Sequence, residues 1–337
     1  MFVSVVMPVR NEAAFIANSL KAVLSQDYPS EQMEVIVADG MSSDGTAQIV
    51  AQHRGVKLIN NPGKIVPTGL NLAIEQAHGE IIVRVDGHCE IASDYVRRCV
   101  DHLLNDGVDA VGGPLDTIGQ TPLANVIAAA MSSTFGVGGS AFRTRRNETM
   151  LTDTVAFPAY RRSLIARAGA FDEELVRNQD DEYNYRLCEM GAKILLAADV
   201  RCRYYSRSSV SSLWRQYFQY GYWKVRVMQK HPGEMRLRQF VPPLFVTVLM
   251  LSLLMMLFVD GGWLIFVLVI GSYLVANLAA SLLTATKTTA TKSTLLLPVV
   301  FATLHISYGL GFLLGLVKFW NRWGSRNKHL DEQREEL

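Results

Sequence analysis

Charged side chains are almost absent from one long stretch of this 337-residue chain. Residues 240–317 hold only Asp260, Lys287 and Lys292, whereas 19% of the whole chain is charged. Three apolar runs fill this stretch: Phe240–Val259, Trp263–Leu283 and Leu295–Val317. About 20 apolar residues at 1.5 Å each span a hydrocarbon core of roughly 30 Å, so these runs predict membrane spans rather than buried core helices.

Other absences exclude several classes of protein. The four cysteines form no CxxC pair, which disfavours a zinc site or a disulfide framework. No GxGxxG or GxxxxGK[ST] segment follows a predicted strand, which counts against a dinucleotide fold and a P-loop ATPase. A net charge of +2 gives no support to nucleic-acid binding through bulk charge. No basic, cleavable leader precedes the apolar run Phe2–Pro8, so we expect the soluble part to stay in the cytoplasm.

The residues before the apolar runs alternate strand-like and helix-like segments. The predicted strands are Val3–Met7, Val35–Ala38, Val56–Ile59, Ile81–Val85 and Val108–Val111. The predicted helices between them are Glu12–Ser25, Asp44–Gln52, Val66–Ala77 and Ser93–Leu104. This alternation indicates parallel βαβ units and hence an α/β fold with a doubly wound sheet. Such sheets bind ligands at the carboxyl ends of their strands, so the loops there are the candidate site.

Acidic side chains follow two of these strands. Asp39 ends the second strand before a Gly/Ser turn, where its carboxylate suits a base or a ribose hydroxyl, and plain turn chemistry is the alternative. Asp86, His88 and Glu90 lie two residues apart, so in extended backbone their side chains would share one side. Carboxylates suit Mg²⁺ or Mn²⁺, and the imidazole favours Mn²⁺. A turn aspartate with an exposed histidine is the alternative.

Over roughly residues 1–230, the chain resembles the family 2 glycosyltransferases, which are nucleotide-sugar enzymes with the Rossmann-like A-type glycosyltransferase fold. The matching motifs are Pro8-Val9-Arg10-Asn11-Glu12, Val37–Thr46 (VADGMSSDGT), Asn61…Gly69-Leu70-Asn71, Asp86-Gly87-His88 in the place of the family's DxD, and Asn178–Tyr183 (NQDDEY). His88 replaces the second Asp, and Gln179 replaces the Glu of the usual Glu-Asp pair. The membrane-tailed members most similar in appearance are bacterial exopolysaccharide enzymes of the succinoglycan glucosyltransferase type.

The resemblance implies a nucleotide-sugar site at the strand ends. In the family, the first-strand loop and the aspartate in the place of Asp39 hold the nucleotide, and the DxD binds the metal on the diphosphate. We therefore expect a UDP- or GDP-sugar donor with Mn²⁺ or Mg²⁺ as cofactor. Lys64 could place a point charge on the phosphates, and a solvated loop lysine is an equal alternative. The expected donor-binding residues are Pro8, Arg10, Glu12, Asp39, Lys64 and Asp86, and the expected metal ligands are Asp86, His88 and Glu90.

Asp180 and Asp181 are the predicted catalytic residues. Asp180 occupies the family's catalytic-base position, where a carboxylate takes the proton of the attacking acceptor hydroxyl. Repulsion among Asp180, Asp181 and Glu182 can raise one pKa toward a value suited to a base. An acidic helix start favoured by the helix dipole is the alternative for Asp181 and Glu182. A single in-line displacement predicts inversion of the anomeric centre.

A basic and aromatic stretch precedes the first apolar run. Residues 201–238 contain nine Lys/Arg and one acid. Taken alone, such a stretch would predict nucleic-acid binding. Its position immediately before the first apolar run instead favours contact with the lipid headgroup layer. We predict an interfacial helix within Leu213–Met228, with a solvated linking helix as the alternative. Part of this stretch resembles the family's acceptor-side motif, and the expected acceptor or lipid contacts are Arg215, Tyr217, Trp223 and Lys224.

The predicted organisation has four parts. They are a cytoplasmic glycosyltransferase domain (1–212), an interfacial region (213–238), a transmembrane region of about three helices (239–320) and a charged tail (321–337). We expect a multi-pass protein of the cytoplasmic (inner) membrane, with its catalytic domain in the cytoplasm. Three crossings would place the basic tail outside, against the positive-inside rule, so one run could be re-entrant or interfacial.

The leading interpretation is a membrane-anchored, metal-dependent, inverting glycosyltransferase. It would move a sugar from a nucleotide donor to a lipid-linked saccharide or glycan in polysaccharide or glycoconjugate synthesis. An enzyme that loads polyprenyl phosphate with one sugar is the nearest alternative. A non-catalytic nucleotide-binding membrane scaffold is the alternative of another class, and the presence of Asp39, Asp86 and Asp180 argues against it.

Overall fold

The structure is a computed structural model that describes residues 1–287 and 292–323. It divides into two compact units. The first consists of Met1–Asp116 with Ala141–Tyr205, and the second of Thr117–Ser140 with the chain from Ser206 onward. Residues 117–140, predicted as part of the first domain, therefore belong to the second unit. Most of the predicted tail, residues 324–337, lies outside the described residues.

The first unit is built on a mixed β-sheet. The strands are β1 (Val3–Val9), β2 (Met33–Asp39), β3 (Val56–Asn60), β4 (Ile81–Arg84), β5 (Cys89–Ile91), β6 (Ala110–Gly113), β7 (Leu115–Ile118), β8 (Met150–Leu151), β9 (Ala156–Arg161), β10 (Ile194–Leu196) and β11 (Cys202–Tyr205). In the part of the chain that is described, eight strands form one sheet in the order β3-β2-β1-β4-β9-β6-β10-β8, and a second sheet has the order β5-β11-β7. The first four strands are parallel, as predicted, but β9 runs antiparallel between β4 and β6. The sheet is therefore mixed rather than fully parallel.

The predicted helices before residue 110 are present, with ends that differ by up to four residues. The helices in chain order are α1 (Ile16–Leu24), α2 (Thr46–Ala51), α3 (Val66–Glu75), α4 (Tyr95–Asn105), α5 (Pro122–Met131), α6 (Thr134–Val137), α7 (Ala141–Thr144), α8 (Arg162–Ala168), α9 (Gln179–Glu189), α10 (Val210–Lys230), α11 (Val241–Phe258), α12 (Gly262–Ala285) and α13 (Leu297–Lys318). A buried apolar cluster that includes Ile36, Leu70 and Tyr183 joins the sheet to α3 and α9. Burial of this cluster holds both helices on the sheet, because removal of apolar surface from water is the main stabilising term in folding.

The second unit contains the long apolar helices. Three described helices are long and apolar enough to cross a membrane: Leu237–Phe258, Gly262–Ala285 and Ser293–Lys318. In the most apolar 18-residue segment of each helix, 17% is buried within the protein for the first helix, 11% for the second and 50% for the third. The three predicted runs are thus helices, and the third differs from the others in how much protein surrounds it.

Helices α10 and α13 pack with their backbones in contact. A Cβ atom added to Gly311 of α13 would lie 2.0 Å from the carbonyl oxygen of Phe218, and one added to Gly221 of α10 would lie 2.0 Å from that of Tyr308. A Cβ on Gly315 would also meet the α10 backbone, at 2.6 Å. Only glycine fits at these positions, and small residues of this kind let membrane helices approach closely.

We predict that Gly311→Ala destabilises the protein, because its new methyl group must push α10 away. Overpacking of this kind costs typically about 1–3 kcal/mol. Gly271→Ala is the matched control, since a Cβ at Gly271 in α12 meets nothing within 4 Å. Thermal unfolding of the detergent-solubilised full chain measures both variants. Equal melting temperatures for the two would contradict the close packing of α10 on α13.

Candidate active site

The loops after β1 and β2 are joined by hydrogen bonds. The backbone N–H of Asn11 donates to Ser42 Oγ at 2.9 Å, and the backbone N–H of Ser43 donates to Asn11 Oδ1 at 2.9 Å. The backbone N–H of Glu12 donates to Thr46 Oγ1 at 2.8 Å. Because β1 and β2 are parallel neighbours, both loops lie at the same edge of the sheet, and these bonds make them one rim.

Left-handed backbone conformations accompany the predicted site residues. Asn11, Met41, Lys64 and Asn178 have φ values of 54°, 57°, 62° and 61°. Each belongs to, or lies within two residues of, a segment that the sequence singled out. Non-glycine residues in this conformation store strain, which is typically retained at ligand sites. The strain supports placing the site at these loops.

Asp39 is buried at the end of β2, with 4% of its surface exposed. Its Oδ2 atom accepts a hydrogen bond from the backbone N–H of Ser42 at 3.0 Å. Its Oδ1 atom is buried and has no hydrogen-bond partner among the described residues. A buried polar atom without a partner is costly, so this oxygen suits an N–H or O–H group of a ligand.

Arg10, Lys64 and Pro8 lie around the same rim. The Arg10 side chain packs beside Gly40, where an added Cβ would lie 3.1 Å from Arg10 Cβ. Arg10 Nη1 donates to the carbonyl oxygen of Lys64 at 3.4 Å, and Lys64 itself is exposed. Pro8 packs against α3 near Gly69, where an added Cβ would lie 3.3 Å from Pro8 Cβ. Pro8 thus packs the end of β1 against α3, while Arg10 and Lys64 bring positive charge to the surface of the rim.

Asp86 is held by a buried arginine. Arg84 Nε donates to Asp86 Oδ1 at 3.0 Å, and Arg84 Nη2 donates to Asp86 Oδ2 at 3.2 Å. Burial alone would lower the pKa of Arg84, but the charges of Asp86 and then Asp180 outweigh burial and raise it. Arg84 therefore stays charged and orients the Asp86 carboxylate at the strand end.

His88 lies between a carboxylate and an aromatic ring. Its Nδ1 atom is 3.0 Å from Glu12 Oε1, and its ring meets the Tyr204 ring edge-on at 5.0 Å between centroids. Burial opposes protonation, but Tyr204, the hydrogen bond to Glu12 and the charges of Glu12 and Asp86 raise the pKa of His88 to about 9. Without a bound metal ion this favours a protonated His88 paired with Glu12, and a divalent ion would have to displace that proton in order to bind.

The structure does not gather the three predicted metal ligands. The chain turns at Gly87 and His88, so the two-residue alternation of an extended strand fails there. Glu90 lies instead in β5 and accepts a hydrogen bond from the Tyr205 hydroxyl. Across residues 1–287 and 292–323, no group of three His, Cys, Asp or Glu side chains is placed to hold a metal ion. The expected triad of Asp86, His88 and Glu90 is therefore not assembled in the described part of the chain.

Asp86 and His88 still have the chemistry that a divalent ion requires. A carboxylate and an imidazole are ligands that Mn²⁺ accepts. The contact of Glu12 with His88 Nδ1 leaves Nε2 as the other ring nitrogen, and a carboxylate on the far nitrogen is a common support for a metal-binding histidine. The two side chains thus fit a divalent ion in type.

The three acids at the start of α9 differ in their surroundings. Glu182 is fully buried and pairs with Arg186 through contacts of 3.0 Å (Nε to Oε1) and 2.7 Å (Nη2 to Oε2), so its role is structural. Burial and then the charge of Asp181 raise the pKa of Asp180, against the opposing charge of Arg84. The Asp181 N–H donates to Asp180 Oδ1 at 3.0 Å. The pKa of Asp180 is thus shifted toward the range of a catalytic base.

A separate open groove of about 630 Å³ lies along α10 in the second unit. Its lining residues recur at helical spacing: Ser211, Trp214, Arg215, Phe218, Gln219, Tyr222 and Trp223. Arg215 and Trp223, two of the expected acceptor or lipid contacts, lie in this groove. Tyr217 and Lys224 are buried instead, with 7% and 5% of their surfaces exposed, because they lie on another side of α10. The structure therefore brings together two of the four expected contacts.

Several residues of the site carry little local signal in the sequence. Arg84 could have been found, since it precedes Asp86 by two residues on the same strand end. Tyr204 and Tyr205 reach His88 and Glu90 only because β11 pairs with β5. Pairing between strands that are distant in the chain produces no local sequence motif, so these two tyrosines could not be identified from the sequence.

Comparison with known proteins agrees with this geometry. Residues 4–169 match the profile of Glycosyl transferase family 2. The succinoglycan biosynthesis protein ExoA of Rhizobium meliloti is 30% identical over 251 residues, which cover 71% of this chain and 73% of that protein. A dolichyl N-acetyl-alpha-D-glucosaminyl phosphate 3-beta-D-2,3-diacetamido-2,3-dideoxy-beta-D-glucuronosyltransferase of Methanococcus voltae is 26% identical over 329 residues, or 94% of this chain and 98% of that one. A mannosyltransferase of Pyrobaculum calidifontis, solved with GDP-Man and Mn²⁺, has a TM-score of 0.56 at 22% identity, over 92% of this chain and 86% of that one.

The mixed α/β sheet and its acidic strand ends define an A-type glycosyltransferase domain, here with apolar C-terminal helices. The chain belongs to glycosyl transferase family 2. Its relatives act in polysaccharide and lipid-linked glycan biosynthesis. The predicted fold class and family are therefore confirmed, and so is the prediction that the chain is a glycosyltransferase.

Proposed function

We propose that this protein is an inverting, metal-dependent glycosyltransferase that moves a sugar from a nucleotide-sugar to a lipid-linked saccharide or glycan. The buried, unpartnered Oδ1 atom of Asp39 carries the proposal, because it offers a desolvated acceptor to a nucleoside at the strand ends. The GDP-Man and Mn²⁺ bound by the Pyrobaculum calidifontis enzyme support a nucleotide-sugar donor with a divalent ion. The name of the Methanococcus voltae relative specifies a dolichyl-linked sugar acceptor, which supports the lipid-linked alternative.

The donor site consists of the rim between β1 and β2 together with the end of β4. Asp39 accepts from the nucleoside, and Arg10 and Lys64 supply positive charge on the phosphate side. Asp86 and His88 would hold Mn²⁺ or Mg²⁺, and such an ion would supply Lewis-acid neutralisation of the leaving diphosphate. Arg84 fixes the Asp86 carboxylate, and Glu12 fixes the His88 ring. The rim residues therefore position the donor before the sugar moves.

Asp180 acts as the general base. The acceptor oxygen forms a bond to the anomeric carbon while the bond from that carbon to the diphosphate oxygen breaks. The hydroxyl proton passes to the Asp180 carboxylate, and the nucleoside diphosphate leaves with the bonding electrons. One displacement of this kind inverts the anomeric centre.

The donor site predicts metal-dependent consumption of one class of nucleotide-sugar. Membranes containing the full chain are supplied with UDP- and GDP-sugars, with and without Mn²⁺ or Mg²⁺, and release of the nucleoside diphosphate is measured. We expect a chelator to abolish release, and Asp39→Asn to raise the KM for the donor by roughly tenfold. Failure to consume any sugar of the panel contradicts the proposed donor. Parallel reactions with polyprenyl phosphate and with a lipid-linked saccharide separate the two acceptor classes.

The environment of Asp180 predicts a specific pH dependence. A base works only when deprotonated, so its raised pKa means that kcat falls as pH drops through a value above the ordinary 3.8. We expect Asp180→Asn to lower kcat by about 10²- to 10⁴-fold with donor binding intact. Asp181→Asn is the control and should retain most of the turnover. Loss of turnover in Asp181→Asn alone would move the base to that residue.

We further propose that α11 and α12 cross the cytoplasmic membrane while α13 stays on its cytoplasmic side. The greater burial of α13 supports this arrangement, as does its packing along α10. Arg226 of α10 donates to the carbonyl oxygen of Arg322 just beyond α13, at 3.3 Å. Two crossings keep Lys287, Lys318 and Arg322 on the cytoplasmic side, as the positive-inside rule prefers.

A topology reporter tests this orientation. Green fluorescent protein fused after Leu337 should fluoresce, and alkaline phosphatase fused at the same position should be inactive, because both report a cytoplasmic end. A cysteine in place of Asp260, in the turn between α11 and α12, should react with an impermeant maleimide from outside. An active phosphatase fusion would instead show an odd number of crossings.

A further inference from the structure

Arg143 has a buried donor without an acceptor. It lies in α7, and its Nη1 atom is buried and has no hydrogen-bond partner in the described part of the chain. The nearby arginines differ: Arg145 pairs with Glu148 at 2.7 Å, and Arg146 pairs with Asp116 at 2.8 Å. Arg143 is thus distinguished from its neighbours by a guanidinium nitrogen that is buried without an acceptor.

Aromatic rings surround this guanidinium. Its Cζ atom is 5.6 Å from the centroid of the Tyr204 ring and 5.3 Å from that of Phe142. The Tyr204 ring is also the one that meets His88 edge-on at 5.0 Å. Arg143 and a proposed metal ligand therefore contact the same ring, although they are far apart in sequence.

Ring contacts offset only part of the cost of burying a cation. A guanidinium over an aromatic face is stabilised electrostatically, but this contact does not satisfy an N–H donor. The fork of guanidinium N–H groups matches the oxygens of a phosphate, often in pairs of parallel hydrogen bonds. A phosphate oxygen would supply both the missing acceptor and the missing negative charge.

We propose that Arg143 binds a phosphate oxyanion of a substrate, with Nη1 as a donor. The inference rests on the proposed function, because that function states which phosphates reach the site. The oxyanion belongs either to the donor's diphosphate or to the phosphate of a lipid-linked acceptor. The shared contact with His88 through Tyr204 favours the diphosphate, since His88 is one of the residues proposed for the donor site.

Binding measurements on the full chain in detergent test the proposal. UDP and GDP, each with Mn²⁺, are titrated into the wild type and into Arg143→Gln, Arg143→Lys and Arg145→Gln, with UMP and GMP for comparison. We expect Arg143→Gln to weaken diphosphate binding about tenfold or more, with a smaller effect on the monophosphates. The diphosphate affinity of Arg143→Lys should lie between those of the wild type and Arg143→Gln, because lysine retains the charge but lacks the guanidinium fork. Arg145→Gln is the matched control and should bind like the wild type.

Three outcomes other than the expected one are distinguished. Unchanged nucleotide binding in Arg143→Gln, with weaker binding of polyprenyl phosphate in mixed micelles, supports the proposal and assigns the phosphate to the acceptor. Unchanged affinity for both probes, with at most a lower melting temperature, overturns it and leaves Arg143 as a packing residue. A wild type that binds neither UDP nor GDP contradicts the proposed donor itself, and the polyprenyl phosphate measurement then decides the role of Arg143 alone.

Discussion

The parallel pairing of β1 with β2 and β4 is the constraint on which the site depends. The pairing sets Val9 opposite Asp39 on one side of β1 and Val6 opposite Arg84 on the other. The first-strand loop, Asp39 and the Arg84–Asp86 pair therefore reach the same edge of the sheet. A shift of one residue in either pairing would turn each side chain to the opposite face of its strand and dismantle the site. The apolar strands thus determine the site as much as the polar residues do.

Charge at this edge is arranged in pairs rather than in a single-sign patch. Asp86 is paired with Arg84, and Glu12 with His88. Arg84 also faces the field of Asp180, so one buried cation links the proposed metal ligand to the proposed base. Removal of either partner from a buried pair leaves an uncompensated charge, which is strongly destabilising. Arg84 is therefore expected to orient Asp86 and to act on the charge of Asp180 in the proposed reaction.

The sequence predicts a site residue well when the residues around it are close to it in the chain, and poorly when they come from distant segments. Asp39 is correctly placed at the end of β2, because an apolar run followed by a Gly/Ser turn marks a strand end. The metal triad is not correctly predicted, because Gly87 and His88 form a turn. Side chains two residues apart share one side only where the backbone is extended. The antiparallel insertion of β9 and the pairing of β11 with β5 bring residues from beyond 140 to the site. These arrangements depend on tertiary packing, so Arg143 and Tyr204 have no local sequence pattern that would have identified them.

The basic and aromatic stretch before the apolar helices has two different sides. On one side, Gly221 lets α10 approach α13, and Gln229 Nε2 donates to the carbonyl oxygen of Phe319, the residue that follows α13, at 2.8 Å. Arg226 is almost fully buried near the same end, where the carbonyl groups of a helix carry partial negative charge and favour a cation. On the other side, Arg215 and Trp223 line an open groove. Part of the positive charge in this stretch therefore stabilises helix packing, and only the groove side presents two of the residues predicted to contact lipid or acceptor.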